Sequence, residues 1–232
     1  MPRTLLAAAL LITLLTTAAC QFPRDVGGTL DNVKGGTLRV GLTEAEPWVS
    51  LQHDDPSGVE VGLIREFAAK LGAARVDYTT GTEEELVEAL HARELDVVIG
   101  GITDKTRWKK EAALTKPYLT THLVIGMPPG QDLQDGTRVI TENGRSAAAL
   151  VERKTDAVPV RADDLETARG KPAAVDEWLL DDLGLREAKS LEASEHVMLT
   201  APGENGFLVE LEHFLLDRKQ RALELLDTEG RP

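Results

Sequence analysis

Asp96-Val97-Val98-Ile99-Gly100-Gly101 is the stretch that most narrows what this chain can fold into. An unbroken apolar run bounded by polar residues reads as a strand buried on both faces, as in a parallel sheet under helices. The paired glycines at its end leave the backbone bare, so a side chain or ligand can approach closely. Open parallel sheets hold their ligands at the carboxyl ends of such strands. The same residues, with Thr103 just beyond, also suit a plain strand-to-helix turn.

The flanking sequence repeats the unit. Residues 38–42 alternate like a strand. A helix from residue 59 to 71 shows one apolar face through Leu63, Ile64, Phe67, Ala68 and Leu71, and Gly72 suits its carboxyl-terminal cap. Residues 76–79 form the next strand. Thr82-Glu83-Glu84-Glu85 is a capping box opening a helix that turns Leu86, Val87 and Leu90 to the sheet. This alternation predicts an α/β fold with parallel strands and right-handed crossovers. Downstream, residues 123–127 and 138–140 read as strands, 147–152 as a helix, and 156–160 as a strand that Pro159 assigns to an edge. A helix follows through Trp178, Leu179 and Leu183. Residues 196–200 are a strand and 204–216 an apolar-faced helix.

Residues 1–19 read as a signal peptide, with Arg3 ahead of an apolar core over 5–15 that is too short to span a bilayer. Thr17-Ala18-Ala19-Cys20 resembles a bacterial lipobox, which implies cleavage before Cys20 and a diacylglyceryl group on its thiol. An ordinary secretory signal with an incidental cysteine is the alternative. Cys20 is the only cysteine in the chain, so no disulfide competes for it. Residues 20–36, with Pro23 and four glycines, are expected to be a lipid-anchored flexible tether.

Acids outnumber bases 39 to 26, which disfavours nucleic acid as a partner. His53-Asp54-Asp55 lacks a second histidine at ligand spacing and reads as a solvated turn rather than a metal site. There is no phosphate loop, nucleophile elbow or paired cysteine motif, and no cofactor is expected.

Gly101-Ile102-Thr103 and Thr115-Lys116-Pro117-Tyr118 fall at the spacing of two motifs of the family 3 extracellular solute-binding proteins, the receptors of amino-acid ABC importers. Gly58-Val59-Glu60-Val61-Gly62-Leu63 resembles the family's first helix, with Glu60 for its first aspartate and Gly62 in place of the second. The resemblance implies a type 2 periplasmic-binding-protein fold. Its expected parts are a first lobe over 37–125 and 200–232 and a second lobe over 126–199, joined by two crossover strands.

The resemblance also implies site residues. Trp48 would cover the ligand, or alternatively lid the core. Gly101 and Thr103 would offer donors. The family's carboxylate-gripping arginine falls on Trp108, with Arg107 one residue early, so Arg107 or Arg145 would have to compensate. The turn at Arg145-Ser146 matches a family turn at a helix N-terminus, where Ser146 would donate to an anionic group or simply cap the helix. Residues 170–176 resemble the motif whose last aspartate receives the ligand's amino group. Asp176 is that match, two residues closer to the glycine than usual, or a helix cap.

The implied function is a monomeric, lipid-anchored receptor facing the periplasm or cell exterior. It would close on a small polar solute such as an amino acid and deliver it to ABC permease subunits. A non-transport sensor or partner-binding receptor of the same fold is the alternative. An enzyme on this scaffold, like the cyclohexadienyl dehydratases that share it, is not expected, because no acid–base pair falls in the predicted cleft.

Overall fold

In the computed structural model, which describes residues 24–143 and 146–229, ten strands form two five-stranded sheets. A short helix, α1 (Thr29–Val33), precedes the first sheet. That sheet holds β1 (Thr37–Leu42), β2 (Arg75–Thr80), β3 (Val97–Ile99), β4 (Ala113–Leu114) and β10 (Leu199–Thr200), in the order β2-β1-β3-β10-β4. β1 runs parallel to β2 and β3, and β10 runs antiparallel to β3 and β4.

The helices α2 (Val59–Leu71) and α3 (Glu83–His91) begin and end on the expected signals. Gly72 takes the left-handed cap of α2, and Thr82 and Glu85 form the reciprocal capping box of α3. Phe67 of α2 meets Phe207 and Phe214, 5.6 and 5.3 Å between ring centroids, on α5 (Asn205–Asp217). A last helix, α6 (Lys219–Glu229), packs on α2. A Cβ on Gly62 would lie 3.1 Å from Leu225, so this glycine makes room for the helix.

The second sheet holds β5 (Leu119–Met127), β6 (Arg138–Glu142), β7 (Val158–Ala162), β8 (Ala173–Asp176) and β9 (Arg186–His196), in the order β7-β6-β8-β5-β9. α4 (Ala147–Lys154) packs Leu150 and Val151 against Ile125, Val139 and Leu191. β7, carrying Pro159, is an edge strand as expected. The chain passes to the second sheet after Tyr118 and returns after His196.

Three segments differ from the sequence reading. β9 is an eleven-residue strand that the reading did not contain. Its charged, mostly exposed residues hide the pattern, and its ladder with β5 along the whole length holds it. The helix expected through Leu183 is a short 3-10 turn, Glu177–Leu179. Residues 24–36 are docked on the first lobe rather than loose. Thr29 and Val33 are buried, and the Glu204 carboxylate accepts from the amides of Gly27 (2.7 Å) and Thr29 (3.1 Å). Partners 175 residues away supply what local composition could not reveal. No helix among the described residues is long and apolar enough to cross a membrane.

Candidate functional site: the cleft at the end of β3

Glu60 sits on the first turn of α2, among Val59, Val61, Leu63 and Ile64, and is fully buried. A buried carboxylate must find donors. Its Oε2 accepts from the amides of Gly100 (2.7 Å) and Gly101 (2.9 Å), and its Oε1 accepts from the Tyr118 hydroxyl at 2.7 Å. Burial pushes its pKa up against the three donors, which pull it down. The Tyr118 hydroxyl is held well above its ordinary range by burial and by the facing carboxylate. This triangle joins the two stretches that carry the resemblance and fixes the glycine turn. Gly101 has φ +65°, a conformation glycine adopts without strain.

Trp48 lies on that turn. A Cβ on Gly101 would fall 2.4 Å from its Cδ1. The indole is 6% exposed, stacks on the His196 ring at 3.8 Å between centroids, and meets Trp178 edge-on at 6.2 Å. Trp48 belongs to the first lobe, Trp178 follows β8 of the second, and His196 ends β9 on the return crossing. The aromatic cluster therefore spans the junction.

His196 is 4% exposed, its Nε2 lies 2.9 Å from Thr121 Oγ1, and its Nδ1 has no protein partner. Burial drives its pKa down to about 4, with the Gly101 backbone acting weakly in the opposite direction. Beside it, Glu177 Oε1 accepts from the His122 amide at 3.2 Å and Glu177 Oε2 lies 3.0 Å from His122 Nδ1, tying the Trp178 turn to β5.

The residues singled out from the sequence fall in two groups. Gly101, Thr103 and Arg107 line one cavity of about 370 Å³, with Lys105, Thr106 and Glu83. Thr103 also pairs through its backbone with His196. Lys105 reaches β9, donating to Glu192 at 2.9 Å. Arg107 is 69% exposed, pairs with Glu84 at 3.3 Å and stacks over Trp108 at 4.2 Å.

Trp108 points elsewhere. Its ring packs with the apolar cluster around Leu90 and Val98, and its indole N–H donates to Glu83 at 2.8 Å. Asp176 ends β8 directly before Glu177 and makes no side-chain cap bond to the turn it precedes. Ser146 stands exposed at the N-cap of α4, also without a side-chain cap bond. Cys20 and Arg145 lie outside the described residues.

Glu60, Tyr118, Trp178 and His196 were not among the site residues read from the sequence. The lone acid in the apolar run from Val59 to Ile64 was the available signal for Glu60. Nothing local announced His196, whose neighbours come from three other segments.

The family profile of the bacterial extracellular solute-binding proteins, family 3, matches residues 38–224. Among solved structures, an ancestral cationic amino acid solute binding protein superposes with a TM-score of 0.69 at 18% identity, covering 86% of this chain and 98% of that one. The L-cystine solute receptor of Neisseria gonorrhoeae, unliganded and open, gives 0.65 at 18% identity over 87% of this chain and 94% of its own. An ancestral cyclohexadienyl dehydratase gives 0.65 at 20% identity over 90% and 97%. These likenesses show the fold, the type 2 periplasmic binding fold.

A curated relative, the membrane-bound lytic murein transglycosylase F of Photobacterium profundum, is 29% identical over 125 residues. That is 53% of this chain, which spans about a quarter of that relative's length. With the family profile matched over most of its length, this chain belongs to the bacterial extracellular solute-binding proteins, family 3.

Proposed function

We propose that this protein is an extracytoplasmic receptor, held to a membrane through a lipid on Cys20, that binds a small polar solute such as an amino acid between its lobes and passes it to an ABC permease. The observation that carries the reading is the junction itself. Trp48 of the first lobe meets Trp178 of the second above Gly101, beside a cavity lined by Thr103 and Arg107. Two sheets joined by two crossing strands can rotate about those strands, and closing on a ligand is the behaviour of this fold.

In this reading Thr103 donates to the solute, and Arg107 meets its carboxylate in place of the arginine that Trp108 displaces. Asp176 takes the ammonium group, and Ser146 with Arg145 closes from the second lobe. Trp48 covers the ligand once Trp178 moves aside. Two of the buried titratable groups at the junction are already engaged by the protein itself. Glu60 is committed to three donors, and His196 is buried against an indole. Neither group is free to act as a base, which is consistent with a binding role.

The test is a thermal-shift screen of residues 21–232 against amino acids, amines, small peptides and organic acids. A ligand at a hundredfold excess over its Kd stabilises by about 2.7 kcal/mol. Loss of the shift in Asp176→Ala, with the fold intact, supports the site. An unchanged shift rules this placement out.

A second reading is a receptor of the same fold that signals rather than imports. The membrane-bound transglycosylase supports a role other than import, because the matched stretch there is a minor part of a protein with another named activity. Uptake of the identified solute by cells with and without the gene separates the two.

A further inference from the structure

Trp48 is fixed on the first lobe. Its amide donates to the Ala45 carbonyl at 2.8 Å, and its carbonyl accepts from the Glu60 amide at 3.0 Å, on the first turn of α2. A Cβ on Gly58 would fall 2.6 Å from that same carbonyl, so the backbone here approaches as closely as glycine allows. The ring touches both Gly101 and His196. At 6% exposure, little of the indole is left for a solute to meet.

Trp178 reaches this ring from the other lobe. Consecutive residues here divide between the two cores. Trp178 packs on the first-lobe apolar cluster that contains Trp48, whereas Leu179 and Leu180 pack on the second-lobe cluster around Val175, Leu183 and Leu185. The element carrying Trp178 is slight. Glu177–Leu179 is a three-residue 3-10 helix whose closing bond, from the Leu180 amide to the Glu177 carbonyl, is 3.3 Å. Such turns have poorer hydrogen-bond geometry than an α-helix. Glu177 ties the turn to His122 of β5, so Trp178 travels with the second lobe. Asp176, the residue expected to take a solute's ammonium group, directly precedes this turn. A solute seated there and Trp178 seated on Trp48 would contend for the same space.

We propose that Trp178 is an intramolecular competitor for the solute: seated on Trp48, it holds the two lobes together and must withdraw before a solute can occupy the junction. The inference deepens the reading of this junction as a solute site and rests on it. Only molecules with Trp178 withdrawn are competent to bind, and apparent affinity falls in proportion to their fraction. Removing a contact that leaves about a tenth of the molecules competent therefore raises affinity about tenfold. A solute that displaces Trp178 must offer Trp48 an apolar or cationic group in its place.

The test uses the full chain with Cys20→Ser, so that spin labels attach only at Glu88→Cys on α3 and Glu152→Cys on α4, one exposed position in each lobe. Pulsed EPR in buffer without solute should give one distance in this parent. A second, changed distance should appear in Trp178→Ala and, to a smaller extent, in Trp178→Leu. Leu179→Ala, which loses packing inside the second lobe alone, should match the parent. Calorimetric titration with the solute found by screening should show Trp178→Ala binding about tenfold tighter than wild type. Identical distances in Trp178→Ala and the parent, with circular dichroism showing an intact fold, overturn the inference. Equal or weaker binding by Trp178→Ala also overturns it, and weaker binding would make Trp178 one of the solute's own contacts. The two failures are distinguishable. A changed distance with no solute in the screen removes the solute reading and the competition together but keeps the contact between lobes, whereas identical distances in a protein that binds solute remove the inference alone.

Discussion

Glu60 holds the amide of Gly101 at 2.9 Å, so the backbone donor that the sequence offers to a ligand is already bound to the protein's own carboxylate. With the Gly100 amide and the Tyr118 hydroxyl on the same group, one acid organises the cleft floor.

Replacing Glu60 tests this. Glu60→Ala strands three buried donors and should cost about 3–5 kcal/mol in urea unfolding. Glu60→Gln keeps an acceptor for the amides and should cost much less. The pH dependence has a definite sign. The folded-state pKa is raised, so the group's contribution is complete below its unfolded value near 4.5 and is lost as pH rises through the folded value. Wild-type stability should fall relative to Glu60→Gln as pH increases above 4.5; parallel curves would show that Glu60 does not titrate there.

His196 titrates the other way. Its folded pKa is depressed to about 4, so its contribution is present above 6.5 and lost as pH falls from 6.5 toward 4. The difference amounts to about 3 kcal/mol. Denaturation of wild type and His196→Gln at intervals between pH 7 and 4 should show this loss in the wild type alone.

Arg107 is exposed, and its Glu84 pair is a surface contact worth at most about 1 kcal/mol, so Arg107→Ala should leave stability nearly unchanged. If it meets a solute carboxylate, its removal should weaken binding about tenfold or more, since a charge-assisted hydrogen bond contributes roughly 1.5–3 kcal/mol. Calorimetric titration of the variant with the solute found by screening gives the answer. Equal affinity would assign the carboxylate to another group.

Glu204 decides whether the amino-terminal segment stays docked. Burial raises its pKa, but the Thr29 and Gly27 amides, the Thr29 side chain and Arg93 outweigh burial and hold it below the ordinary value. Its stabilisation is therefore present above about pH 4.5 and lost as pH falls through the folded value. Glu204→Ala should cost about 1–3 kcal/mol, because it leaves the Gly27 and Thr29 amides without their acceptor while the part-exposed Arg93 turns to solvent. Hydrogen exchange should show Gly27 and Thr29 losing protection before β1 does.

The sequence by itself determined the elements that carry their own signals. The apolar run at residues 97–99, the capping box of α3, the glycine cap of α2 and the edge placement of Pro159 were legible because each depends on neighbours within a few residues. Strand alternation also led to the α/β class, and two motifs led to the family.

Only the tertiary structure decided the rest. β9 is a strand because β5 supplies its ladder, and residues 24–36 are ordered because Glu204 takes their amides. Trp108 takes its orientation from Glu83, 25 residues earlier. Trp48, Trp178 and His196 meet only after both sheets are assembled, and Glu60 reaches Gly100, Gly101 and Tyr118 only once the first lobe has folded. Their hydrogen bonds and ring contacts join distant segments, and no local pattern encodes a partner that distant.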